Sequence, residues 1–250
     1  MYSLADYKQI LEATFIELNQ NLTAETSINS NMSGSTGIAV LLHNAQVLCA
    51  NVGDSRAGVV KLVSPEDPGE LIMLSRDHTP KELDELERII MAGGKVQPCS
   101  DPFGNFIGPP RIWDKSGEGP GLMMSRSFGD QSGHRVGMTA NPEVKHLTKG
   151  ANQKYLILGS DGLWEKTTES FMVNTCKKHW KDKDAVEKIC RELMSNSVNR
   201  WNKECIFYRD DISCIVVELT SPNPDFPALA AATDQAEAAE GEKSQENPTT

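Results

Sequence analysis

The segment from Tyr155 to Glu165 constrains the fold of this chain more than any other part of the sequence. Leu156-Ile157-Leu158 is a continuous apolar run, which predicts a buried β-strand. Gly159-Ser160-Asp161-Gly162 then places an aspartate at the end of that strand, and Glu165 follows four residues later. If the chain turns helically after Asp161, the two carboxylates face the same side and suit a hard divalent cation. The alternative interpretation is that Asp161 caps a turn and Glu165 is a solvated surface residue.

Two further aspartates stand where predicted strands begin or end. Asn51-Val52-Gly53-Asp54-Ser55-Arg56-Ala57 has the same form, in which an apolar strand and a glycine precede an aspartate. Gly, Asp and Ser are also ordinary hairpin-turn residues, so a plain turn is the alternative there. Arg209-Asp210-Asp211-Ile212-Ser213 precedes the last apolar run, and its alternative role is an edge charge that resists aggregation. The candidate metal ligands are therefore Asp54, Asp161, Glu165 and Asp210.

Hydrophobic periodicity predicts strands and helices in mixed order over residues 1–220. Apolar residues at three- and four-residue steps predict an N-terminal helix with one apolar stripe, formed by Leu4, Tyr7, Ile10, Leu11, Phe15 and Leu18. Runs of β-forming residues predict a hairpin from 36–43 and 47–52 and further strands at 58–63, 70–74, 144–147, 155–158 and 212–219, the last two buried. Helices are predicted at 170–180 and along the apolar face that contains Ala185, Val186, Ile189, Cys190, Leu193 and Met194.

Three other segments carry local signals. Thr79-Pro80-Lys81-Glu82 predicts a helix start, because it offers a capping hydroxyl, a proline and a glutamate that can reach back to the cap. That helix is expected to end at Gly93-Gly94, where glycine can adopt the left-handed conformation. Residues 95–120 are rich in glycine and proline and predict a long surface loop. From Ser221 to residue 250 large apolar residues almost disappear, which predicts a disordered acidic tail after one domain at 1–220.

Charge and composition bear on the class of partner. The formal net charge of −10 repels polyanions. Nucleic acid and anionic membranes are therefore disfavoured as partners that a generally basic protein surface would attract. No apolar run approaches the roughly 20 residues that span a bilayer, so we expect an intracellular protein, cytoplasmic or nuclear. The six cysteines are scattered without a Cys-x-x-Cys pair, which predicts reduced thiols and neither a zinc site nor a disulfide frame.

The candidate ligand segments belong to a longer ordered set. The set comprises Ser33-Gly34-Ser35-Thr36, Gly53-Asp54-Ser55-Arg56-Ala57, Asp77-His78-Thr79-Pro80, Ala92-Gly93-Gly94, Met124-Ser125-Arg126-Ser127-Phe128-Gly129-Asp130, Ser160-Asp161-Gly162-Leu163-Trp164-Glu165 and Asp210-Asp211-Ile212-Ser213. In this order the segments resemble those of type-2C, metal-dependent protein serine/threonine phosphatases. The resemblance covers roughly residues 1–220.

The resemblance implies an α+β fold, a sandwich of two antiparallel β-sheets flanked by helices in four αββα layers. It also implies Mg²⁺ or Mn²⁺ as cofactor, a phosphoprotein as substrate, and a metal-bound water as nucleophile in place of a catalytic side chain. By position, Asp161 and Asp210 would hold one metal of a central pair. Asp54, Asp161 and Glu165 would surround a third, weaker site, in which Glu165 stands where the family usually has aspartate. Residues 95–120 would form the flap beside the cleft, and we interpret Arg126 and Asp130 as structural.

Some elements of the family pattern are missing from this chain. The family carries an upstream Asp-Gly-His-Gly segment that supplies a bridging metal ligand, together with another acidic ligand and a phosphate-binding arginine, and this sequence has none of them. We therefore expect a sandwich that is incomplete at its N-terminus, with unpaired sheet edges that promote self-association. The leading hypothesis is hydrolysis of phosphoserine and phosphothreonine on proteins, with reduced activity in this form. The alternatives are a non-catalytic phosphatase-like binding or regulatory module and, less favoured, a plain divalent-cation-binding protein.

Overall fold

The computed structural model describes residues 2–117, 119–205 and 208–219, so the predicted tail at 221–250 lies outside the described residues. The helices are α1 (Leu4–Ala24), α2 (Leu83–Met91), α3 (Gln131–His134), α4 (Asp161–Trp164), α5 (Glu169–Lys178) and α6 (Ala185–Glu204). The strands are β1 (Gly34–Ser35), β2 (Gly37–His43), β3 (Gln46–Val52), β4 (Arg56–Lys61), β5 (Glu70–Met73), β6 (Lys95–Ser100), β7 (Phe106–Trp113), β8 (Pro120–Leu122), β9 (Phe128–Gly129), β10 (Glu143–Thr148), β11 (Gln153–Gly159) and β12 (Cys214–Glu218).

Two antiparallel sheets form the centre of the molecule. One has the strand order β10-β3-β2 and the other the order β12-β11-β4-β5. Apolar side chains from both sheets fill the space between them, among them Val47, Cys49, Val59, Leu156 and Leu158. Helices α4, α5 and α6 cover the outer face of the four-stranded sheet, and α1 covers the other sheet. The predicted αββα layers are confirmed.

The N-terminal helix buries only part of its apolar stripe. Phe15 is buried and packs with Leu11 against β3 and Phe128. Leu4, Ile10 and Leu18 remain exposed. The prediction of an N-terminal helix is confirmed, and Phe15 is the buried member of its apolar stripe.

The last strand is also more exposed than its sequence predicts. β12 lies at the edge of its sheet and, among the described residues, pairs only with β11. Val216 is buried against α6, but the side chain of Ile215 is 58% exposed. Successive side chains of a strand point to opposite faces, so Ile215 lies on the face that turns toward the three-stranded sheet. On that face Val217 and Leu219 pack between the sheets, so the prediction of a buried strand fails at Ile215 and holds for its neighbours.

Residues 95–120 do not form the predicted loop. They contain β6, β7 and the start of β8, which make a small antiparallel sheet. The pairing of β6 with β7 shifts register between Gln97 and Cys99, at Pro98, which lacks an N–H for the ladder. Proline and glycine here mark bulges and turns within strands. The predicted flap is therefore a β-structure that packs on α2 through Ile112 and Ile89.

Helix α2 begins later than its sequence signal predicts. Its first residue is Leu83, and Thr79 to Glu82 form a single turn closed by the Glu82 N–H and the Thr79 carbonyl, 3.1 Å apart. The chain just before this turn is held by His78, whose N–H donates to the Gly53 carbonyl and whose carbonyl accepts from the Ser125 N–H. These tertiary bonds prevent the Thr79 cap from forming. The predicted end is confirmed, since Gly93 has a φ of +87°.

In the described part of the chain, no helix has both the length and the apolar character needed to cross a membrane.

Candidate metal-binding site

The strand β11 delivers Asp161 to one end of the sandwich. Asp161 is the first residue of α4, and its carbonyl accepts the N–H of Glu165 at 2.8 Å. The chain therefore turns helically after Asp161, as the four-residue spacing predicts. The carbonyl of Gly162 accepts hydrogen bonds from Ser197 and Trp201 of α6, at 2.6 and 2.7 Å. These two bonds fix a helix of only one turn against the core.

Asp210 reaches the same end of the sandwich from the segment that precedes β12. The Ser160 hydroxyl donates to the carbonyl of Asp211 at 3.0 Å, and the Ser160 N–H donates to the carbonyl of Ser213 at 3.2 Å. A Cβ added to Gly162 would lie 3.3 Å from the Cβ of Asp210. The absence of a side chain at residue 162 therefore lets the Asp210 segment approach α4.

Asp54 occupies the turn between β3 and β4. Gly53, which has a φ of +99°, donates its N–H to His78 Nδ1 at 3.2 Å. Burial, together with the charge of Arg126, lowers the pKa of His78 to about 4, so its ring is neutral at physiological pH and can accept this bond. Asn51 also donates to the Gly53 carbonyl. The aspartate thus stands on a turn with a fixed backbone.

The pKa shifts of Asp54 and Asp161 reflect charges on the other predicted ligands. The pKa of Asp54 is raised to about 6. Burial is the largest cause, and the charges of Asp161, Asp77 and Glu165 also contribute. Burial likewise raises the pKa of Asp161, followed by the charges of Asp210, Glu165 and Asp77. Asp161 interacts with all three other predicted ligands and stands at the centre of the cluster. Glu165 is exposed to solvent and Asp210 is half-buried.

Sequence reasoning missed one member of the cluster. Asp77 lies beside the predicted ligands and receives two hydrogen bonds from the Arg56 guanidinium, Nε to Oδ1 at 2.5 Å and Nη2 to Oδ2 at 2.6 Å. Arg56 also interacts with Asp54 and Glu165, which contribute to raising its pKa. Arg56 and Asp77 belong to two of the motif segments, 53–57 and 77–80. Their spacing along the chain does not indicate that the two side chains pair. Arg56 offsets the charge of Asp77 and leaves the other four carboxylates with excess negative charge.

The donor chemistry of this cluster fits a hard divalent cation. All of its candidate ligands are carboxylate oxygens, the ligands that Mg²⁺ and Mn²⁺ prefer. Burial first, and neighbouring carboxylates second, raise the pKa of Asp54 and Asp161, and a bound cation would offset both effects. Within the described residues, however, no three histidine, cysteine or acidic side chains are close enough together to hold one metal ion as they stand. The assignment of Asp54, Asp161, Glu165 and Asp210 as ligands stays a prediction.

A buried ionic network lies behind the turn that carries Asp54. Its centre is Glu85 of α2, which is fully buried and accepts hydrogen bonds from Arg88, Arg126 and the Ser125 hydroxyl. Arg126 donates in addition to the Asn141 carbonyl, so it ties α2 to the chain that leads into β10. Arg126, interpreted from the sequence as structural, is held in this network. Asp130 caps α3 with a left-handed backbone, at a φ of 44°.

The close approach at Gly162 yields a first prediction. In Gly162→Ala the new Cβ would lie 2.4 Å from the Asp211 carbonyl oxygen, so the Asp210 segment must move. We expect the free energy of unfolding to fall by about 1–3 kcal/mol, the range for overpacking. We also expect weaker Mn²⁺ binding, because Asp210 moves away from Asp161. Thermal denaturation and calorimetric titration measure the two effects.

Gly150→Ala is the matched control for this substitution. A Cβ at Gly150 would have only Gln153 Nε2 nearby, at 4.0 Å, and the backbone there is not left-handed. This variant should change stability by less than about 0.5 kcal/mol. Equal effects of the two substitutions would contradict the role assigned to the contact at Gly162.

Comparison with protein families places the chain among known sequences. The family model described as Protein phosphatase 2C matches residues 1–206. Probable protein phosphatase 2C 48 of Oryza sativa subsp. japonica is 32% identical over 221 residues, which cover 86% of this chain and 60% of the relative. Probable protein phosphatase 2C 35 of Arabidopsis thaliana is 28% identical over 232 residues, covering 86% and 64%. The chain thus spans less than two thirds of the length of these curated relatives.

Solved structures share the fold. The serine-threonine phosphatase 2C from Toxoplasma gondii superposes with a TM-score of 0.69 at 20% identity, over 85% of this chain and 67% of that one. A C. elegans sex determining protein superposes with a TM-score of 0.65 at 21% identity, over 88% and 48%. At these identities the likeness establishes the architecture alone.

Proposed function

Because this chain belongs to the protein phosphatase 2C family, we propose that its acidic cluster serves the hydrolysis of phosphoserine and phosphothreonine on proteins. The observation that carries the proposal is the concentration of carboxylates around Asp161, at one end of the sandwich. Buried carboxylates such as Asp54 and Asp161, whose pKa is raised by burial and by neighbouring charges, are costly to keep unless they serve a charged ligand. A bound Mg²⁺ or Mn²⁺ would supply an activated water and would offset charge on the phosphoryl oxygens.

The residues of the chain have separate parts in this proposal. Asp161 and Asp210 would hold a divalent cation, with Asp54 and Glu165 around a second position beside it. Arg56 and Asp77 would orient the Asp54 turn through their paired hydrogen bonds, which leave the guanidinium facing the cluster. Ser160 would keep the Asp210 segment in register with α4, since it bonds to that segment through both its hydroxyl and its backbone.

A second function has its own supporting observation. The described residues contain no closed set of three ligands, which favours a phosphatase-like module that binds phosphoproteins or regulates a partner without turnover. The two functions share the fold and the acidic cluster. They differ in whether the bound cation supports chemistry.

Turnover of p-nitrophenyl phosphate with Mn²⁺ distinguishes the two functions. For the phosphatase we expect turnover that chelation abolishes, and faster release of phosphate from a phosphothreonine peptide than from a phosphotyrosine peptide. Asp210→Asn should reduce the rate by at least about tenfold through loss of a ligand. Asp211→Asn is the matched control, because it removes the same charge from the adjacent residue and should retain most activity. Mn²⁺ binding without turnover would favour the non-catalytic module, and failure to bind Mn²⁺ would contradict both.

We further propose that two copies of the chain associate through the edge of β12. The support is the exposed Ile215 on a strand that has one partner among the described residues. Ile215→Lys should shift the sedimentation coefficient toward that of the monomer, because a charge on an edge strand opposes pairing. Val63→Lys is the control, since Val63 has the same 58% exposure but lies outside the sheets. A wild-type chain that sediments as a monomer at all concentrations would contradict this proposal.

A further inference from the structure

Two cysteine side chains meet where α6 packs on β12. Cys190 lies in the second turn of α6, and Cys214 is the first residue of β12. The Cys190 Sγ lies 3.6 Å from the carbonyl oxygen of Cys214. Both side chains pack against the same apolar cluster, which also contains the fully buried Cys176. Two cysteines 24 positions apart in sequence are thus in direct contact, and both side chains lie at the same apolar cluster.

The two thiols differ in their surroundings. Burial raises the pKa of Cys214 far above its ordinary value, and the adjacent Cys190 raises it further. Cys190, in contrast, lines a surface groove of about 640 Å³ together with Val186, Met194 and Val216. A small solute can therefore reach Cys190 from this groove, whereas Cys214 does not line it.

We propose that Cys190 and Cys214 are a redox-active pair that forms a reversible intramolecular disulfide when the protein meets hydrogen peroxide. In the first step the Cys190 thiolate attacks peroxide, an S–O bond forms and the O–O bond breaks. The sulfur becomes a sulfenic acid, and the other peroxide oxygen leaves as hydroxide, which takes up the proton released by the Cys190 thiol and becomes water. In the second step the Cys214 sulfur attacks the Cys190 sulfur, the S–S bond forms and the S–O bond breaks. Hydroxide leaves and takes the Cys214 proton as a second water.

The arrangement assigns different roles to the two cysteines. Cys190 reacts first because it faces the groove, and Cys214 resolves the sulfenic acid because it is the neighbouring thiol. Cys214 also follows Ser213, whose N–H donates to the Ser160 hydroxyl and whose carbonyl accepts from the Ser160 N–H. The disulfide would tie α6 covalently to the segment that carries Asp210. The modification site is independent of the proposed hydrolysis, since it requires no metal and no substrate.

Peptide mapping tests this pair in the full chain. The reduced protein is treated with hydrogen peroxide, the remaining thiols are blocked with N-ethylmaleimide, and the digest is analysed without reduction. We expect two of the six thiols to escape blocking in a protein that stays monomeric, and a cross-linked peptide pair that contains Cys190 and Cys214. Dithiothreitol should restore all six thiols.

Variants separate the pair from the other cysteines. Cys190→Ser and Cys214→Ser should each abolish the cross-link, and Cys205→Ser, at the end of α6, should retain it. The wild-type peptide map identifies the pair even where a variant folds poorly. The proposal is overturned if the peptides join other cysteines, if the cross-link forms between molecules, or if Cys190 accumulates as a sulfinic acid with Cys214 still free.

Discussion

Replacement of Glu85 by glutamine is expected to lower the free energy of unfolding by about 3–5 kcal/mol, the usual cost of breaking a buried charge network from one side. Glu85 is fully buried, and its carboxylate accepts hydrogen bonds from Arg88 and Arg126 that an amide can satisfy only in part. Without the carboxylate, the guanidinium groups of the half-buried Arg88 and the more deeply buried Arg126 lose their shared counter-charge. Urea denaturation followed by circular dichroism measures the loss.

The neighbouring helix residue provides the matched control for Glu85. Glu87 lies on the same helix, α2, but is exposed. Glu87→Gln makes the same chemical change and should alter stability by less than about 0.5 kcal/mol. Similar losses in the two variants would show that the helix, and not the buried network, responds to the substitution.

The same carboxylate should contribute to stability in acid. Burial would raise the pKa of Glu85, but the hydrogen bonds from Arg88, Arg126 and Ser125 outweigh burial and lower it well below the ordinary value of 4.5. A group whose pKa is lower in the folded state stabilises the fold above its unfolded pKa. That contribution decreases as pH falls below about 4.5 toward the folded pKa. The stability of Glu85→Gln should therefore fall less steeply with acidification than that of the wild type.

The second large effect is expected at Asp161, the centre of the acidic cluster. In Asp161→Asn we expect the affinity for Mn²⁺ to fall by at least about tenfold to a hundredfold, since a residue that contacts the cation should matter at least as much as those that orient it. The metal-free protein should at the same time become more stable, by up to about 1 kcal/mol, as expected when partly exposed like charges are removed. The reason is that Asp161 raises the pKa of Asp54 and is itself repelled by Asp210 and Glu165.

These opposite signs distinguish a metal ligand from a structural residue. Calorimetric titration with Mn²⁺ reports the affinity, and thermal melting with a chelator present reports the stability of the metal-free fold. If Asp161 served only to cap α4, its replacement would lower stability and leave Mn²⁺ binding unchanged. That outcome would remove the basis for the proposed function.

The order of the secondary structure could be predicted from residue patterns. The helical stripe of α1, the hairpin of β2 and β3 and the apolar face of α6 repeat at the spacing of their own element, so each is a local property. The position of Asp161 after a continuous apolar strand is local for the same reason. The seven motif segments, in their order along the chain, then indicated the type-2C phosphatase family. The resemblance to that family in turn implied the αββα layers.

The flap and the start of α2 could not be predicted in this way. Proline and glycine at 98–120 favour a loop on average, but here β6, β7 and β8 pair with one another and pack on α2. Thr79 offers a good helix cap, yet the bonds of His78 to Gly53 and Ser125 hold the chain in another path. In both cases contacts between distant residues outweigh local preference, which is worth only fractions of a kcal/mol per residue.

The sequence by itself determined which residues could bind a cation, because carboxylates at strand ends are visible along the chain. Only the tertiary structure decided that the charge of Asp161 acts on Asp54 and those of Asp210 and Glu165 on Asp161, that Arg56 is engaged by Asp77, and that Cys190 lies against Cys214. The physical reason is range. Backbone preference and periodicity act over a few residues, whereas charge repulsion, burial and thiol proximity depend on distances that are set when separate strands and helices pack together.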